Sequence, residues 1–303
     1  MFRRILSAYL KEFVPIGVPS THIEEKVFWG DMNITSKWVL VAMDPVLFAI
    51  SCKGELPNEN ALIRINLKSQ TMVSIEGDVQ EKILFNNEMV VLWRPVVTKI
   101  HGMTFYEKWM ELPQLLRQSK RSKFKFNRNG IMHLAASYFY PRKIFVVVVR
   151  SADYLNIFPM DLHVQPPTGK NYLLALQPGN AAEKQLKMNL KMVVCEIPAD
   201  KIGYAYELGK NHGQINLREK QLPFNCTLSS TFKFPLPEFQ IGYKEIEITR
   251  FQDLNTHTLF SGNIVFESPS PPDIRQPYHI HRFRYHYGLK IKDAYSLQRL
   301  DII

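Results

Sequence analysis

The stretch that decides the fold is RKIFVVVVRSADYLNIFPMDLHV, Arg142 to Val164. It opens on Ile144, Phe145, Val146, Val147, Val148 and Val149, an unbroken apolar run whose four consecutive Val no other part of the chain matches. A run of this kind reads as a strand buried on both faces. β-Branched residues fit a pleated surface and lose little rotamer freedom there. The run ends at Arg150-Ser151-Ala152-Asp153, and Asn156-Ile157-Phe158-Pro159-Met160-Asp161 follows. Asn, Pro and Asp after a core strand read as a polar loop. Such a loop either simply connects elements or presents backbone groups to a ligand.

Downstream, Pro166-Pro167-Thr168-Gly169 reads as a turn and Asn171 to Gln177 as a second buried strand. The next residues are Pro178-Gly179-Asn180-Ala181-Ala182-Glu183-Lys184. Asn180 is a good helix N-cap, and Glu183 stands three residues further on, as in a capping box. A strand, a glycine turn and a helix start make a junction whose N–H groups and dipole suit a phosphate. Lys184, Lys187 and Lys191 add positive charge there; an ordinary capped surface helix is the plainer reading. Leu190 to Ile197 reads as a third strand, and Ala205 to Gln214 as a short helix closed at Gly209, with Lys210, Asn211 and His212 in its loop. Pro223 to Phe239 reads as an extended connection. In Gly242 to Phe251, Ile246 and Ile248 alternate with Glu245 and Glu247, a half-buried antiparallel strand. Asn255-Thr256 is its turn and Thr258 to Phe266 the returning strand, where Gly262 marks a bulge or a close backbone approach.

Upstream, residues 37–43, 46–52, 61–67, 71–75, 82–85 and 89–93 read as six short strands of a small antiparallel β-domain. GELPNEN, Gly54 to Asn60, is a loop among them, and no catalytic constellation accompanies them. Phe2 to Phe13 has helical apolar spacing ended by Pro15, and Phe105 to Leu116 reads as a second helix. Arg117 to Gly130 interleaves six basic residues with Phe124 and Phe126. Cations that hold phosphates and rings that stack on bases occur together on nucleic-acid surfaces. No recognition fingerprint accompanies them, so a solvated basic linker is the preferred reading. The tail PYHIHRFRYHYG, Pro277 to Gly288, brings His279, His281 and His286 close together. No Cys, Asp or Glu completes a metal set within it, and it reads as a basic, aromatic arm.

The chain has 303 residues, 46% of them hydrophobic, enough for two cores. Three cysteines without metal-like spacing argue against a disulfide framework and for a reducing compartment, so a cytoplasmic location is expected. No apolar stretch reaches the length of a membrane-spanning helix. A net charge of +10 favours acidic or phosphate-bearing partners.

Residues from about Tyr138 to Ser268 resemble the flavin reductase-like family of FMN-binding split barrels. The Val-rich strand with Asn156 to Leu162 resembles the family's first strand and the loop over its flavin. Tyr172 to Asn180 with the following helix resembles the strand and phosphate-side loop. Lys191 to Ile197 resembles the strand that ends in an Asn-like or polar residue, here Glu196. Glu245 to Phe251 with His257 to Val265 resembles the late hairpin, with its His-x-x-x-x-Gly pattern. Where the family's phosphate loop carries Ser or Thr, this chain reads QPGNAAEK, so Asn180 and Lys184 would substitute. The resemblance implies a mainly β chain: an antiparallel Greek-key split β-barrel with short helices, preceded by a smaller β-rich N-terminal domain. The expected layout is a β-rich domain at 1–116, a basic linker at 117–137, the split barrel at 138–268 and a basic aromatic arm at 269–303. No second copy of the Asn156–Leu162 motif is found in residues 1–130.

The resemblance also implies a homodimer with FMN at its interface, and an oxidoreductase that takes hydride from NAD(P)H onto the flavin for a small-molecule substrate. Such a reaction is carried by the isoalloxazine, so no acid–base dyad is required. Asn156, Phe158, Met160 and Asp161 are expected along the ring and ribityl side, and Gln177, Gly179, Asn180 and Lys184 around the phosphate. Lys210, Asn211 and His212 are expected to complete the pocket from the partner subunit, with His257 near the nicotinamide. The alternative is a non-catalytic flavin- or haem-binding barrel acting through a partner, and the third reading a nucleic-acid binder.

Overall fold

The computed structural model describes residues 13–52, 61–85, 88–101, 128–151, 154–165, 170–209, 219–281, 284 and 295–296. The expected helix over Phe2–Phe13, apart from Phe13 itself, which opens a strand, the expected helix over Phe105–Leu116, the 54–60 loop, the 166–169 turn and nearly all of the basic stretch lie outside these residues. The chain divides into two units. Unit 1 is Met1–Val14, Glu24–Pro141 and His279–Ile291; unit 2 is Pro15–Ile23, Arg142–Tyr278 and Lys292–Ile303.

Strand β1 (Phe13–Pro19) opens the described chain. Unit 1 is then built from β2 (Glu25–Trp29), β3 (Met32–Asn33), β4 (Trp38–Met43), β5 (Val46–Cys52), β6 (Ile63–Leu67), β7 (Gln70–Phe85) and β8 (Glu88–Ile100), followed by helix α1 (Arg128–Ser137). The sheet order is β3-β2-β6-β7-β8-β5-β4. The two short strands expected at 71–75 and 82–85 are one strand, β7. Its polar middle, Glu76 to Glu81, stays in the ladder because β8 pairs with it throughout, through bulges at Glu76/Gly77 and Val79/Glu81. Its core is aromatic and aliphatic: Trp29, Phe48, Trp93, Leu40, Ile50 and Ile63 are fully buried.

Unit 2 contains β9 (Arg142–Lys143), β10 (Phe145–Arg150), β11 (Leu155–Met160), β12 (His163–Val164), β13 (Asn171–Leu176), helix α2 (Ala181–Asn189), β14 (Lys191–Glu196) and helix α3 (Ile202–Gly209). There follow β15 (Cys226–Leu228), β16 (Pro235–Pro237), β17 (Gly242–Leu254), β18 (His257–Ser268), β19 (Arg275–His281), whose last three residues belong to unit 1, and β20 (Tyr295–Ser296). The main sheet has the order β11-β10-β14-β17-β18-β13-β12, and every pair in it is antiparallel.

That order forces closure. β11 and β12 are the opposite edges of the sheet, yet only Asp161 and Leu162 separate them in sequence. Three Cα–Cα steps span at most about 11 Å, so the two edges meet and the sheet curls into a barrel with a split between them. The Val-rich run is β10, buried on both faces as its composition requires. Val146 and Val148 pack with Ile157, Val193, Cys195 and Leu208 on one face. Phe145, Val147 and Val149 pack with Phe158, Tyr172, Leu174, Ile246 and Phe260 on the other. α3 covers the first core, and Ala182 and Leu186 of α2 complete the second.

The loop expected at Asn156–Asp161 is mostly strand. β11 pairs with β10 from Phe145↔Met160 to Arg150↔Leu155. The polar Asn and the Pro mislead here because β11 is an edge strand, where Pro is tolerated without breaking a ladder on both sides. The bulge and close approach expected at Gly262 are both present. The β17–β18 register shifts between Glu245/Ile246 and Ile248/Arg250, and a Cβ on Gly262 would lie 2.6 Å from the Glu247 carbonyl oxygen.

The two main sheets share one topology. Replacing β2 to β8 in turn by β10, β11, β12, β13, β14, β17 and β18 converts the first strand order into the second. The Asn156–Leu162 motif has no repeat in the first 130 residues, but the strand plan that carries it does.

Candidate functional site

The site is built from β11 outward. Alternation on this strand sends Leu155 and Ile157 into the α3-side core and Phe158 into the opposite one. Asn156 shares the Phe158 face and lies opposite Val149. It is 3% exposed, and its Nδ2 has no hydrogen-bond partner. An unpaired buried donor of this kind costs about 1–3 kcal/mol, so an amide with a free N–H pair in an apolar interior is a natural point for a ligand acceptor. Phe158 is buried in the same core, and Met160 packs against its margin. Asp161 is partly buried in the two-residue crossing between the edges.

Helix α2 lies across the same end of the barrel. Gln185 Nε2 donates to Ser151 Oγ at 3.3 Å and Asn189 Nδ2 to the Arg150 carbonyl at 2.7 Å. These contacts fix α2 on the end of the β10–β11 hairpin where Asn156 sits. Its other neighbour is the β17–β18 hairpin. Thr258 Oγ1 donates to Asp253 Oδ1 at 2.7 Å and lies 3.2 Å from Glu183 Oε1. Lys187 Nζ is 2.6 Å from Glu183 Oε1 and 2.9 Å from Asp253 Oδ1.

The start of α2 forms as its sequence predicts. Gly179 takes φ +82°, a conformation L side chains rarely adopt. Asn180 Oδ1 accepts from Glu183 N at 2.7 Å. The Glu183 carboxylate, 3% exposed, turns back and accepts from Gly179 N at 3.2 Å. The capping box therefore closes on itself, and a protein carboxylate stands where the sequence places a phosphate. Gly179 N–H and the Asn180 amide oxygen are engaged, and Lys187 is already paired. Lys184 points to solvent and Gln177 is partly buried. Two of the donors that the sequence offers a phosphate, the Gly179 N–H and Lys187, are therefore taken within the protein.

His257 opens β18, paired with Leu254 across the hairpin. It is 4% exposed, with Nδ1 3.2 Å from Thr256 Oγ1. Burial pushes its pKa down to about 4, so it is a neutral imidazole beside the α2 end. The structure thus brings Asn156, Gln177, Gly179, Asn180 and His257 to one end, with Met160 and Asp161 towards the other. Lys210, Asn211 and His212 lie outside the described residues.

That second end carries a network the sequence reading did not single out. His163 Nε2 lies 3.1 Å from the Lys143 carbonyl, which makes it the protonated nitrogen. Nδ1 is left to accept from Tyr172 OH at 2.9 Å. Phe145 meets the His163 ring edge-on at 4.2 Å between centroids, and Tyr172 stacks on it at 5.8 Å. Burial is the main reason its pKa falls to about 4. Lys143 Nζ reaches Glu196 Oε2 at 2.7 Å, where Gln276 Nε2 at 2.9 Å and the Ser270 hydroxyl also donate. Burial raises the Glu196 pKa, but the Lys143 charge and the hydrogen bonds from Lys143 and Ser270 outweigh it and hold the carboxyl below its usual range. No local spacing could have signalled this set, since its members come from five separate stretches of chain. Among the described residues, no group of three or more His, Cys, Asp or Glu is placed to hold a metal ion.

No protein-family model matches the chain, and none of the curated proteins is similar to it in sequence. Solved structures to which about half of it is similar include flavin reductases and FMN-binding proteins. An FMN-binding protein from Thermus thermophilus with bound p-hydroxybenzaldehyde is 20% identical, with a TM-score of 0.39 over 43% of this chain and 73% of that one. The NADH:FAD oxidoreductase SgcE6 of Streptomyces globisporus C-1027 is 14% identical, with a TM-score of 0.44 over 50% of this chain and 88% of that one. A flavoredoxin from Methanosarcina acetivorans is 10% identical, with a TM-score of 0.40 over 52% and 91%. The split-barrel assignment of unit 2 rests on its strand order and edge-to-edge crossing.

Proposed function

We propose that unit 2 is a flavin-binding oxidoreductase barrel of the flavin reductase type, passing hydride from NAD(P)H to the isoalloxazine ring for a small-molecule substrate. The observation that carries this reading is the buried, unpartnered Nδ2 of Asn156 on the Phe158 face of β11. An isoalloxazine offers carbonyl and ring-nitrogen acceptors to such a donor, and an aromatic plane to Phe158 and Met160. Asp161, Lys210, Asn211 and His212 are proposed to border the site, the last three from a second copy in a homodimer. A cytoplasmic location fits the three free cysteines. The flavin supplies the redox chemistry when bound, and the chain's part is to orient the ring and exclude water.

The test is titration of the purified full chain with flavin, followed by absorbance and fluorescence, and then NADH or NADPH oxidation at 340 nm with flavin present. Uptake of flavin with nicotinamide oxidation is the expected result. Failure to take up any flavin would remove the reading. A second reading, a flavin-binding barrel without reductase activity, is favoured by His257. That imidazole is buried and faces Thr256, so it is ill placed to meet a nicotinamide. Flavin uptake without NAD(P)H oxidation would select it.

A further inference from the structure

We infer that the outer face and C-terminal end of α2, with the strand ends beside them, form a docking surface for an anionic lipid bilayer. Lys184 and Met188 stand one turn apart on the helix face turned away from the buried Ala182 and Leu186. Met188 is 78% exposed and Leu190 39%. Lys191 follows at once, exposed, as the first residue of β14. Two apolar side chains are thus held in water between two lysines. Leu190 also takes φ +54° as the C-cap of α2, a left-handed conformation that helix ends usually give to glycine. An L side chain is strained there, and much of this leucine stays in water. The packing of α2 therefore gives little reason for a leucine at this position, whereas an apolar partner outside the fold does.

Further cations gather around this end. β10 pairs with β14 as far as Val148↔Val193, and the same register carried on sets Arg150 level with Lys191. The Arg150 carbonyl accepts from Asn189 Nδ2 at 2.7 Å, and its Nη1 donates to the Lys233 carbonyl at 3.1 Å. The end of α2 and Lys233 are thereby tied to the same strand end. Arg150, Lys184, Lys191 and Lys233 are all exposed, and among the described residues none of the four is in an ion pair. Lys187 is already paired with Glu183 and Asp253, and Glu247, across the ladder from Lys191, offsets part of the charge. Exposed apolar side chains ringed by cations suit an anionic bilayer, where the cations meet lipid phosphates and the apolar tips enter the acyl boundary. A nucleic acid would call for rings that stack on bases, and Met188 and Leu190 offer none. A fluid bilayer also needs no complementary shape, which fits side chains that stand clear of the fold.

The experiment is co-sedimentation of the full chain with vesicles of phosphatidylcholine alone and of phosphatidylcholine mixed with phosphatidylserine. The protein is expected to pellet with the mixed vesicles, to stay in solution with the neutral ones, and to be released by added salt. Lys184→Gln with Lys191→Gln is expected to weaken binding by about twentyfold, each basic residue near an anionic leaflet being worth about fivefold. Met188→Gln with Leu190→Gly is expected to weaken it by about tenfold or more. Glycine relieves the left-handed strain at Leu190, so that second variant should melt at the parent temperature or above; a purely structural role for Leu190 would lower it. Equal partition of the unaltered protein between the two vesicle types would overturn the inference with no variant needed. So would anionic-vesicle binding that either folded variant leaves unchanged. Tighter binding to a single-stranded oligonucleotide than to the mixed vesicles, undiminished in Met188→Gln with Leu190→Gly, would mark a polyanion surface and overturn it as well. None of these outcomes depends on whether flavin binds.

Discussion

Two seven-stranded antiparallel sheets run on one plan in this chain, and they differ in one connection and in what fills their interiors. In unit 1 the counterparts of β13 and β14 are β5 and β6, and only residues 53–62 join them. In unit 2 the same connection carries α2, its glycine turn and its capping box. Unit 1 fills its interior with rings: Phe48 stacks on Trp93 at 6.1 Å, and Trp38 meets Phe48 edge-on at 5.1 Å. Unit 2 keeps Asn156, Glu183, Thr258 and Ser261 buried against its strands. The plan thus specifies a barrel and leaves its use to the crossover segment and a few polar positions.

Acid should strain both units most. Burial pushes His133 in unit 1 and His163 and His257 in unit 2 down to about 4, and His281 in unit 1 to about 3. Unfolded, these imidazoles titrate near 6.5, so the unfolded chain binds more protons between pH 6.5 and 4. Stability is then greatest above pH 6.5 and falls as pH drops towards 4. Each tenfold difference in proton affinity is worth about 1.4 kcal/mol. Denaturant melts at pH 7.5 and pH 5 should differ by several kcal/mol, and equal midpoints would contradict the buried neutral state. Below about pH 4.5 the Glu245 carboxylate adds to the loss. Burial raises its pKa, but hydrogen bonds from Ser229 and Thr231, and the Thr231 and Phe232 N–H groups, outweigh this and hold it below its usual range.

Core truncation separates the two units. Leu40→Ala in unit 1 and Leu174→Ala in unit 2 each remove a fully buried side chain and should cost about 2–5 kcal/mol. Only the second should also weaken flavin binding. Equal losses of affinity would mean that unit 1 holds the ligand too. A flavin titration saturating at two per chain would break the distinction in the same way. Gly262→Ala drives a methyl into the Glu247 carbonyl at 2.6 Å and should destabilise by about 1–3 kcal/mol, read as a lowered melting temperature.

Asn156→Leu should have opposite signs on two measurements. It removes an unpaired buried amide and should stabilise the free protein by about 1 kcal/mol, while flavin affinity falls. In unit 1, Asn33→Ala loses the hydrogen bond that its Oδ1 accepts from Thr35 N at 3.0 Å. It should cost about 1 kcal/mol and leave flavin binding alone. Asn180→Ala removes the α2 cap, for about 1 kcal/mol. It would leave Glu183 bound to Gly179, and the loss is read as a lowered melting temperature.

Much of unit 2 was legible in its residues. Six apolar residues in a row can be satisfied only by burial on both faces, and β10 is so buried. Gly179, Asn180 and Glu183 foretold the turn, the cap and the helix start, because capping is settled within a few residues. The hairpin at Asn255 and the close approach at Gly262 are local in the same sense. β11 was misread as a loop because an edge strand tolerates the Pro and polar residues that signal a turn. In unit 1 the polar centre of β7 hid its continuity, because only the facing β8 keeps those residues in a ladder.

Sequence by itself therefore determined the elements whose causes are local: apolar runs, glycine turns, caps and tight hairpins. Tertiary structure alone decided three things. It set the strand order that makes β11 and β12 meet across Asp161 and Leu162, and the likeness of plan between two units with no shared motif. It also decided which partner the α2 start would take. Asn180 and Glu183 promise a helix N-terminus equally well whether the carboxylate turns outwards or back onto Gly179. Lys187 and the hairpin carrying Asp253 and Thr258 hold it inward, and the hairpin lies some seventy residues further along the chain, out of reach of any local signal.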